Sequence, residues 1–437
     1  MTKALLIGNG AREHAIAEAL VRDGASLKAF MNKYNPGIVS LCKGDYRIGK
    51  LDDFKHVSSF GKDCDFAVVG PEAPLVVGIA NALESSGIPV VGPKIETAQL
   101  EGSKVFARSL LDKYKVPGNI EFKTFEDMDG IDEFMDVLGL DRVVVKPDGL
   151  TGGKGVKVFG EHLHSKKDVI DYCQDIFAGN GRLIIEEKLD GEEFTLQTFV
   201  DGKDILGSPI VQDHKRAYEG DEGPNTGGMG SYSMDDHLMP FISKDDLKDA
   251  LNTMHEVVIS VEKETGTPYK GFLYGQFMKT RDGIKLVEFN VRFGDPEAMN
   301  VLPILETSFV EICQGIVEGN LRDVRASFRK VATVVKYLAP RGYPVNPVAG
   351  EPIEVDVGGL SSLGARFYYA SVDRDEQGDI ITSTSRTMGI LGTGETLADA
   401  ERIAEKGTSM VKGKLFHRKD IGTATLLQKR VDHVQSL

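Results

Sequence analysis

The chain has 437 residues and a formal net charge of −14 at pH 7, with 41% hydrophobic and 27% charged residues. It is too long for one ordinary core, and at ~150 residues per domain the length suggests about three. The acidic balance argues against a nucleic-acid partner, since phosphate backbones are met by clustered Lys and Arg, yet small anionic substrates fit if the basic residues gather in one cleft.

No apolar run has membrane length: Leu5-Leu6-Ile7 gives way at once to Gly8-Asn9-Gly10, so neither a membrane span nor a signal peptide is expected and a cytoplasmic location follows. Cys42, Cys64, Cys173 and Cys313 have neither pairing pattern nor metal-ligand spacing, which suits reduced thiols. Nothing points to an obligate protein partner.

Residues 1–103 alternate strand and helix, with strands at residues 3–7, 66–69 and 90–91 and helices at 12–22 and 75–85. This βαβ pattern predicts a parallel sheet whose ligand-facing turns follow the strands, at Gly8, Gly10, Gly70-Pro71 and Gly92-Pro93. A helix over 97–114 leads into a second region, 104–325. Within it, residues 119–192 read as a small α+β lid: strand 143–146, a glycine loop over 149–155, strand 156–159, helix 166–177 and strand 183–185. A strand over 194–200 and a polar, glycine-rich stretch over 212–233 follow, the latter too long for a casual turn. Helices at 245–264 and 304–317 flank a strand pair, 273–279 and 284–291. The remainder, 326–437, reads as a smaller α+β domain with strands at 331–338, 365–370 and 388–391 and a helix at 397–410.

The chemistry concentrates in Glu288-Phe289-Asn290-Val291-Arg292-Phe293-Gly294-Asp295-Pro296-Glu297. Alternate strand residues share a face, so Glu288, Asn290 and Arg292 should point one way while Val287, Phe289 and Val291 pack behind. Two oxygen donors beside a guanidinium read as a nucleotide-metal site, because Mg²⁺ typically takes one or two protein carboxylates plus substrate phosphates. Gly149-Leu150-Thr151-Gly152-Gly153-Lys154-Gly155 can turn backbone N–H groups toward an anion, with Lys154 adding charge. It lacks Walker A spacing, and alone it also describes a flexible hairpin. Lys146, ending an apolar strand, is costly unless an anion pairs with it. The segment 183–194 is either a hinge presenting backbone groups to adenine, with a carboxylate for ribose, or an acidic surface turn.

In this order, Lys146, the glycine loop, the hinge over 186–193 and the pair Glu288 and Asn290 resemble the ATP-grasp ligases. More narrowly, Arg292-Phe293-Gly294-Asp295-Pro296-Glu297 with Pro303 is similar to the signature of the phosphoribosylamine–glycine ligase family. So are Gly8-Asn9-Gly10-Ala11-Arg12-Glu13-His14, Gly70-Pro71-Glu72-Ala73-Pro74-Leu75, Gln212-Asp213-His214-Lys215-Arg216, Gly223-Pro224-Asn225-Thr226-Gly227-Gly228-Met229-Gly230 and Arg418-Lys419-Asp420-Ile421-Gly422.

The resemblance implies a mixed α/β and α+β fold: a Rossmann-like N-terminal domain, an ATP-grasp domain with a mobile lid, and a small C-terminal α+β domain. It implies ATP, with Mg²⁺ or Mn²⁺, joining glycine to 5-phosphoribosylamine through an acyl phosphate. Lys104 and Lys146 match the nucleotide lysines, Glu186 and Leu189 the adenine hinge, and Glu193 the ribose carboxylate. Gly152, Gly153 and Lys154 match the phosphate loop. Glu288 and Asn290 match the metal ligands, and Gln276, on the preceding strand, is a candidate third. Arg292 would neutralise the transferring phosphoryl group.

Asp213 and Asp295 either receive the ammonium of glycine or orient Lys215, Arg216 or Arg292, with Asn225, Thr226 and Gly227 in the same region. Gly10, Arg12 and Glu72 would receive 5-phosphoribosylamine. His214 is read as a hydrogen-bonded structural histidine before a base, and His162 and His164 lack a third metal ligand. A dinucleotide dehydrogenase is disfavoured, because Glu13 stands where its fingerprint needs glycine or alanine.

Overall fold

Lys3–Ile7 (β1) is an almost wholly buried apolar run, the pattern of a parallel strand covered on both faces. In the computed structural model, which describes residues 2–150 and 155–437, β1 is central to a five-stranded sheet. Its other strands are Ser26–Met31 (β2), Tyr46–Ile48 (β3), Phe66–Val69 (β4) and Val90–Val91 (β5), all parallel in the order β3-β2-β1-β4-β5. The order reverses between β1 and β4, which opens a crevice at their carboxyl ends.

Two of these strands were not anticipated. β3 has three half-buried or exposed residues, too few to show a period. The helix expected over 75–85 is two, Glu72–Val76 and Ile79–Ser85, parted at Gly78 with φ +96°. The helix expected over 97–114 is also two, Ile95–Gly102 and Lys104–Lys113. Ser103 breaks it with an extended backbone and caps the second helix, its hydroxyl accepting from the Phe106 N–H at 3.1 Å.

The small subdomain is an antiparallel sheet in the order β6-β9-β7-β8, from Phe122–Phe125 (β6), Val143–Pro147 (β7), Lys157–Val158 (β8) and Leu183–Glu187 (β9). Val143, Val145, Leu183 and Ile185 pack with Ile131, Met135 and Cys173 into a core of their own. Alternation then puts Lys146 and Glu186 on the opposite face.

The chain continues through Glu192–Val200 (β10) and Ile205–Gly207 (β11). Short strands follow at Gln212–Asp213 (β12), Arg216–Tyr218 (β13), Glu222–Asn225 (β14) and Gly230–Ser233 (β15), then Gly271–Thr280 (β16) and Gly283–Asn290 (β17). β11-β10-β16-β17 form an antiparallel sheet. One face carries Phe194, Leu196, Leu273 and Phe277, buried in one core with Met254, Val257 and Val258 of the helix Lys244–Thr265. Ala332–Pro340 (β18) pairs with β15 and with Met388–Gly394, so the glycine-rich stretch contributes strands to the C-terminal sheet. The expected helix over 304–317 begins only at Phe309, after a 3₁₀ turn at Leu302–Ile304. A last helix, Ala424–Ser436, was not anticipated; it sets Arg430 and His433 against Glu192. Among the described residues no helix is long and apolar enough to cross a membrane.

Candidate active site

The second face of the β10-β16-β17 sheet is polar. Register places Glu193, Thr195 and Gln197 of β10 beside Gln276 and Tyr274 of β16, and these opposite Glu288 and Asn290 of β17. The ladder shifts register between Gln276 and Phe277, leaving Val287 as an extra residue; this bulge lets Glu288 and Asn290 share the polar face. Gln276 is fully buried. Its Nε2 donates to Glu193 Oε2 at 2.7 Å and its Oε1 accepts from the Tyr274 hydroxyl. The oxygen expected as a third metal donor is thus engaged by Tyr274. Arg292 lies beyond the end of β17, its Nη2 donating to Asn290 Oδ1 at 3.0 Å.

Lysines surround this face. Lys104 Nζ donates to the Gly149 carbonyl at 2.7 Å; burial lowers its pKa, opposed by the nearby Glu288 carboxylate and reinforced by Lys146. Lys146 Nζ lies 2.5 Å from Glu186 Oε2, and Glu186 Oε1 accepts from Arg108 Nε at 2.8 Å. Burial opposes ionisation of Glu186, but Arg108 and Lys146 outweigh it and hold the pKa at about 2. The anion that Lys146 required is therefore a protein carboxylate. Leu189 is half-buried in the link between β9 and β10. Lys215 Nζ donates to Glu193 Oε2 at 3.1 Å; burial works against its charge, while Glu193, Asp213 and Glu288 more than offset this and raise its pKa. Gly152, Gly153 and Lys154 lie outside the described residues.

Arg292 is clamped from the N-terminal domain. Its Nε donates to Glu72 Oε2 and its Nη2 to Glu101 Oε1, both at 3.1 Å, and Glu101 Oε2 accepts from the Val291 N–H at 2.7 Å. Burial pushes Glu101 up to about 7 despite Arg292. Glu72 is equally opposed by burial, but Arg292 and Arg12 hold it at about 2. Arg12 bridges the same corner, with Nε 2.6 Å from Glu13 Oε1 and Nη1 donating to the Phe293 carbonyl at 3.1 Å. Glu13 Oε2 accepts from the Gly10 N–H at 2.5 Å. A Cβ at Gly8, where φ is +118°, would lie 2.7 Å from Glu13 Cγ, and one at Gly70 would lie 2.1 Å from Glu13 Oε1. The Glu13 side chain thus fills the crevice between β1 and β4 where a dinucleotide would lie.

Asp295 has both oxygens taken, by the Tyr337 hydroxyl at 2.5 Å and Arg386 Nη2 at 2.9 Å. The guanidinium that holds it is that of Arg386, not Arg216 or Arg292. Arg386 Nη1 also donates to the carbonyls of Gly227 at 2.8 Å and Gly228 at 2.7 Å. The Thr226 hydroxyl donates to the Lys215 carbonyl at 2.8 Å, pinning residues 226–228 beside the lysine, while Asn225 stays exposed. Asp213 Oδ1 and Gln197 Nε2 are buried with no hydrogen-bond partner among the described residues. Beside them is Glu297, held by the Tyr274 hydroxyl at 2.9 Å and pushed up to about 7 by burial, then by Asp213. His214 is buried and stacked on Tyr232, but neither ring nitrogen has a hydrogen-bond partner among the described residues; Asp221 is 3.6 Å away.

Glu101, Arg108, Glu297, Arg386 and Tyr274 were given no role in the sequence reading. Glu297 was visible only as part of a motif. Glu101, Arg108 and Arg386 meet partners far away in the chain, while Tyr274 stood two residues from Gln276 on an expected strand and could have been read from that spacing. Among the described residues no three His, Cys, Asp or Glu side chains could hold a metal by themselves. Glu288 and Asn290 offer two oxygen donors, a set that suits a hard cation completed by phosphate oxygens and water.

A polar antiparallel sheet with a carboxylate–amide pair, overhung by a second small sheet carrying a lysine, and attached to a parallel-sheet domain, is the ATP-grasp architecture of ATP-dependent carboxylate–amine ligases. Within that class the chain belongs to the phosphoribosylglycinamide synthetase family: the models of its N domain, ATP-grasp (A) domain and C domain match residues 2–101, 102–298 and 333–424. The phosphoribosylamine–glycine ligase of Pyrococcus horikoshii is 48% identical over 437 residues, covering 100% of this chain and 98% of the relative. That of Thermococcus kodakarensis is 49% identical over 437 residues, covering 100% and 99%. The crystal structure of the Thermotoga maritima phosphoribosylamine–glycine ligase superposes with a TM-score of 0.81 at 29% identity, covering 96% of this chain and 100% of that one.

Proposed function

We propose that the chain ligates glycine to 5-phosphoribosylamine at the expense of ATP, giving glycinamide ribonucleotide, ADP and phosphate. The observation that carries this is the meeting of Glu288 and Asn290 on one sheet face with Lys104 and Lys215 close by and Lys146 beside Lys104, joined through Arg292 to the N-terminal turns. ATP has its phosphates by Lys104 and Lys146, its ribose toward Glu193 and its adenine at the hinge of Glu186 and Leu189; Gly152, Gly153 and Lys154 match the family's phosphate loop by sequence alone. Glu288 and Asn290 would hold Mg²⁺ or Mn²⁺, which would supply positive charge against the phosphates. Gln276 Oε1 accepts from Tyr274 as Asn290 Oδ1 does from Arg292, so each would turn its second lone pair to the cation, while the Gln276 amide fixes Glu193.

The glycine carboxylate attacks the γ-phosphorus, ADP leaves, and Arg292 and Lys215 stabilise the charge on the transferring group. A carboxylate nucleophile needs no general base. The amine of 5-phosphoribosylamine, held by the turns at Gly10, Arg12 and Glu72, then attacks the glycyl carbonyl carbon; the C–N bond forms, phosphate departs, and the nitrogen loses a proton. For the ammonium of glycine the supported pair is Asp213 and Glu297, because Asp295 is consumed by Arg386 and Tyr337. Residues 225–227, with Asn225, Thr226 and Gly227, cover this end. ADP release is expected to require both glycine and 5-phosphoribosylamine when each is omitted in turn; undiminished release without either one would overturn the reading.

A further inference from the structure

Arg108, which no step above uses, ties together the two halves of the nucleotide site. It stands one turn after Lys104 on the helix Lys104–Lys113 and is 3% exposed. Its Nε donates to Glu186 Oε1 at 2.8 Å, its Nη2 to the Val287 carbonyl at 2.9 Å, and its Nη1 to Asn119 Oδ1 at 3.2 Å. Glu186 belongs to β9 of the small subdomain and its other oxygen holds Lys146. Val287 is the bulged residue immediately before Glu288, and Asn119 lies where the chain enters the subdomain. One side chain therefore touches the support of the phosphate lysine and the backbone kink that aims the metal donors.

Charge decides what this does. A lysine 2.5 Å from a buried carboxylate forms a neutral pair, and a neutral pair attracts a triphosphate weakly. With Arg108 on the carboxylate's other oxygen the three groups sum to +1, and Glu186 anchors Lys146 without cancelling it. A merely packed arginine would be costly to bury and would need only its own charge matched.

We infer that Arg108 is a positioning residue for the nucleotide: through Glu186 it leaves the charge of Lys146 available to phosphate, and through the Val287 carbonyl it sets Glu288 and Asn290 against the same ligand. This rests on the nucleotide reading above, so ATP binding to the unaltered full chain is measured first, by calorimetry with Mg²⁺; no binding there would overturn that reading and this inference together. Arg108→Met is expected to weaken ATP binding about tenfold or more while the KM for glycine stays within about twofold, the size expected for truncating one member of a buried charge cluster. In a Glu186→Gln background the same change should cost less than about threefold, because no carboxylate is left there to cancel Lys146. Arg108→Lys keeps the charge but not the fork, so ATP affinity should largely return while the Mg²⁺ concentration for half-maximal rate stays raised. If Arg108→Met does not fold, Arg108→Lys alone carries the test through that Mg²⁺ requirement. Equal weakening of all substrates, a full effect persisting beside Glu186→Gln, or an Arg108→Lys protein with unaltered Mg²⁺ requirement would overturn the inference.

Discussion

The crevice between β1 and β4 and the polar face of the β10-β16-β17 sheet are both lined with charge, and they dispose of it in opposite ways. In the crevice Glu13 takes Arg12 on one oxygen and the Gly10 N–H on the other, and its side chain occupies the space that the glycines leave. On the sheet face Asp213 and Gln197 keep buried polar atoms without partners among the described residues, Lys104 and Lys215 lie near Glu288, and Lys146 stands on Glu186 beside Lys104. A glycine-rich turn after a strand therefore does not by itself mark a nucleotide site. Unpartnered buried polar groups beside a cluster of lysines point to a ligand more directly, since such groups are costly unless something completes them.

The largest expected effects test that contrast directly. Glu288→Gln should lower Mg²⁺-dependent ADP formation by ~10³ or more, the scale seen when a charge-stabilising group is removed from phosphoryl transfer. Lys146→Met should weaken ATP binding by about a hundredfold, about 2.7 kcal/mol, with the melting transition retained. Arg12→Met should instead raise the KM for 5-phosphoribosylamine. If Arg12→Met and Lys146→Met weaken ATP binding alike in calorimetry, the two regions do not differ as described.

A smaller effect concerns pH. Glu101 is raised to about 7 by burial, so its contribution to stability is fully present below the ordinary carboxyl value and is lost as pH rises through about 7. The loss is about 3 kcal/mol. Glu72 and Glu186, held at about 2, run the other way: their stabilisation is present above the ordinary carboxyl value and is lost as pH falls toward 2. Glu101→Gln should therefore raise Tm at pH 8 and leave it nearly unchanged at pH 5. The same variant should lose activity at pH 8, because the ionised carboxylate is what grips Arg292 and the Val291 N–H. A Tm unchanged at both pH values would show that Glu101 ionises normally. The smallest expected effect is protection: ATP with Mg²⁺ should slow proteolysis of the 122–187 subdomain by about threefold if it closes over the nucleotide, and identical cleavage patterns with and without nucleotide would argue against closure.

Strands such as β1 and β4 were legible because short unbroken apolar runs bounded by glycine are buried on both faces. The breaks at Gly78 and Ser103 were not, because a single residue with unusual backbone dihedrals stops a helix whose apolar pattern continues. In the site, the strand period put Glu288 and Asn290 on one face, and an isolated lysine in an apolar strand announced Lys146. Glu101 was silent, because its partner Arg292 lies 191 residues away. Arg386 was silent for the same reason, 91 residues from Asp295.

From the sequence by itself came the alternation of elements, the residues able to bind phosphate and metal, and the resemblance to a family. Only the tertiary structure decided which of those charges are already neutralised. Asp295 and Glu297 stand two residues apart in one motif, yet the first is held by Arg386 and Tyr337 while the second lies beside Asp213 with its pKa near neutrality. Spacing along the chain could not separate them, because a carboxylate's state depends on the charges and burial around it in space.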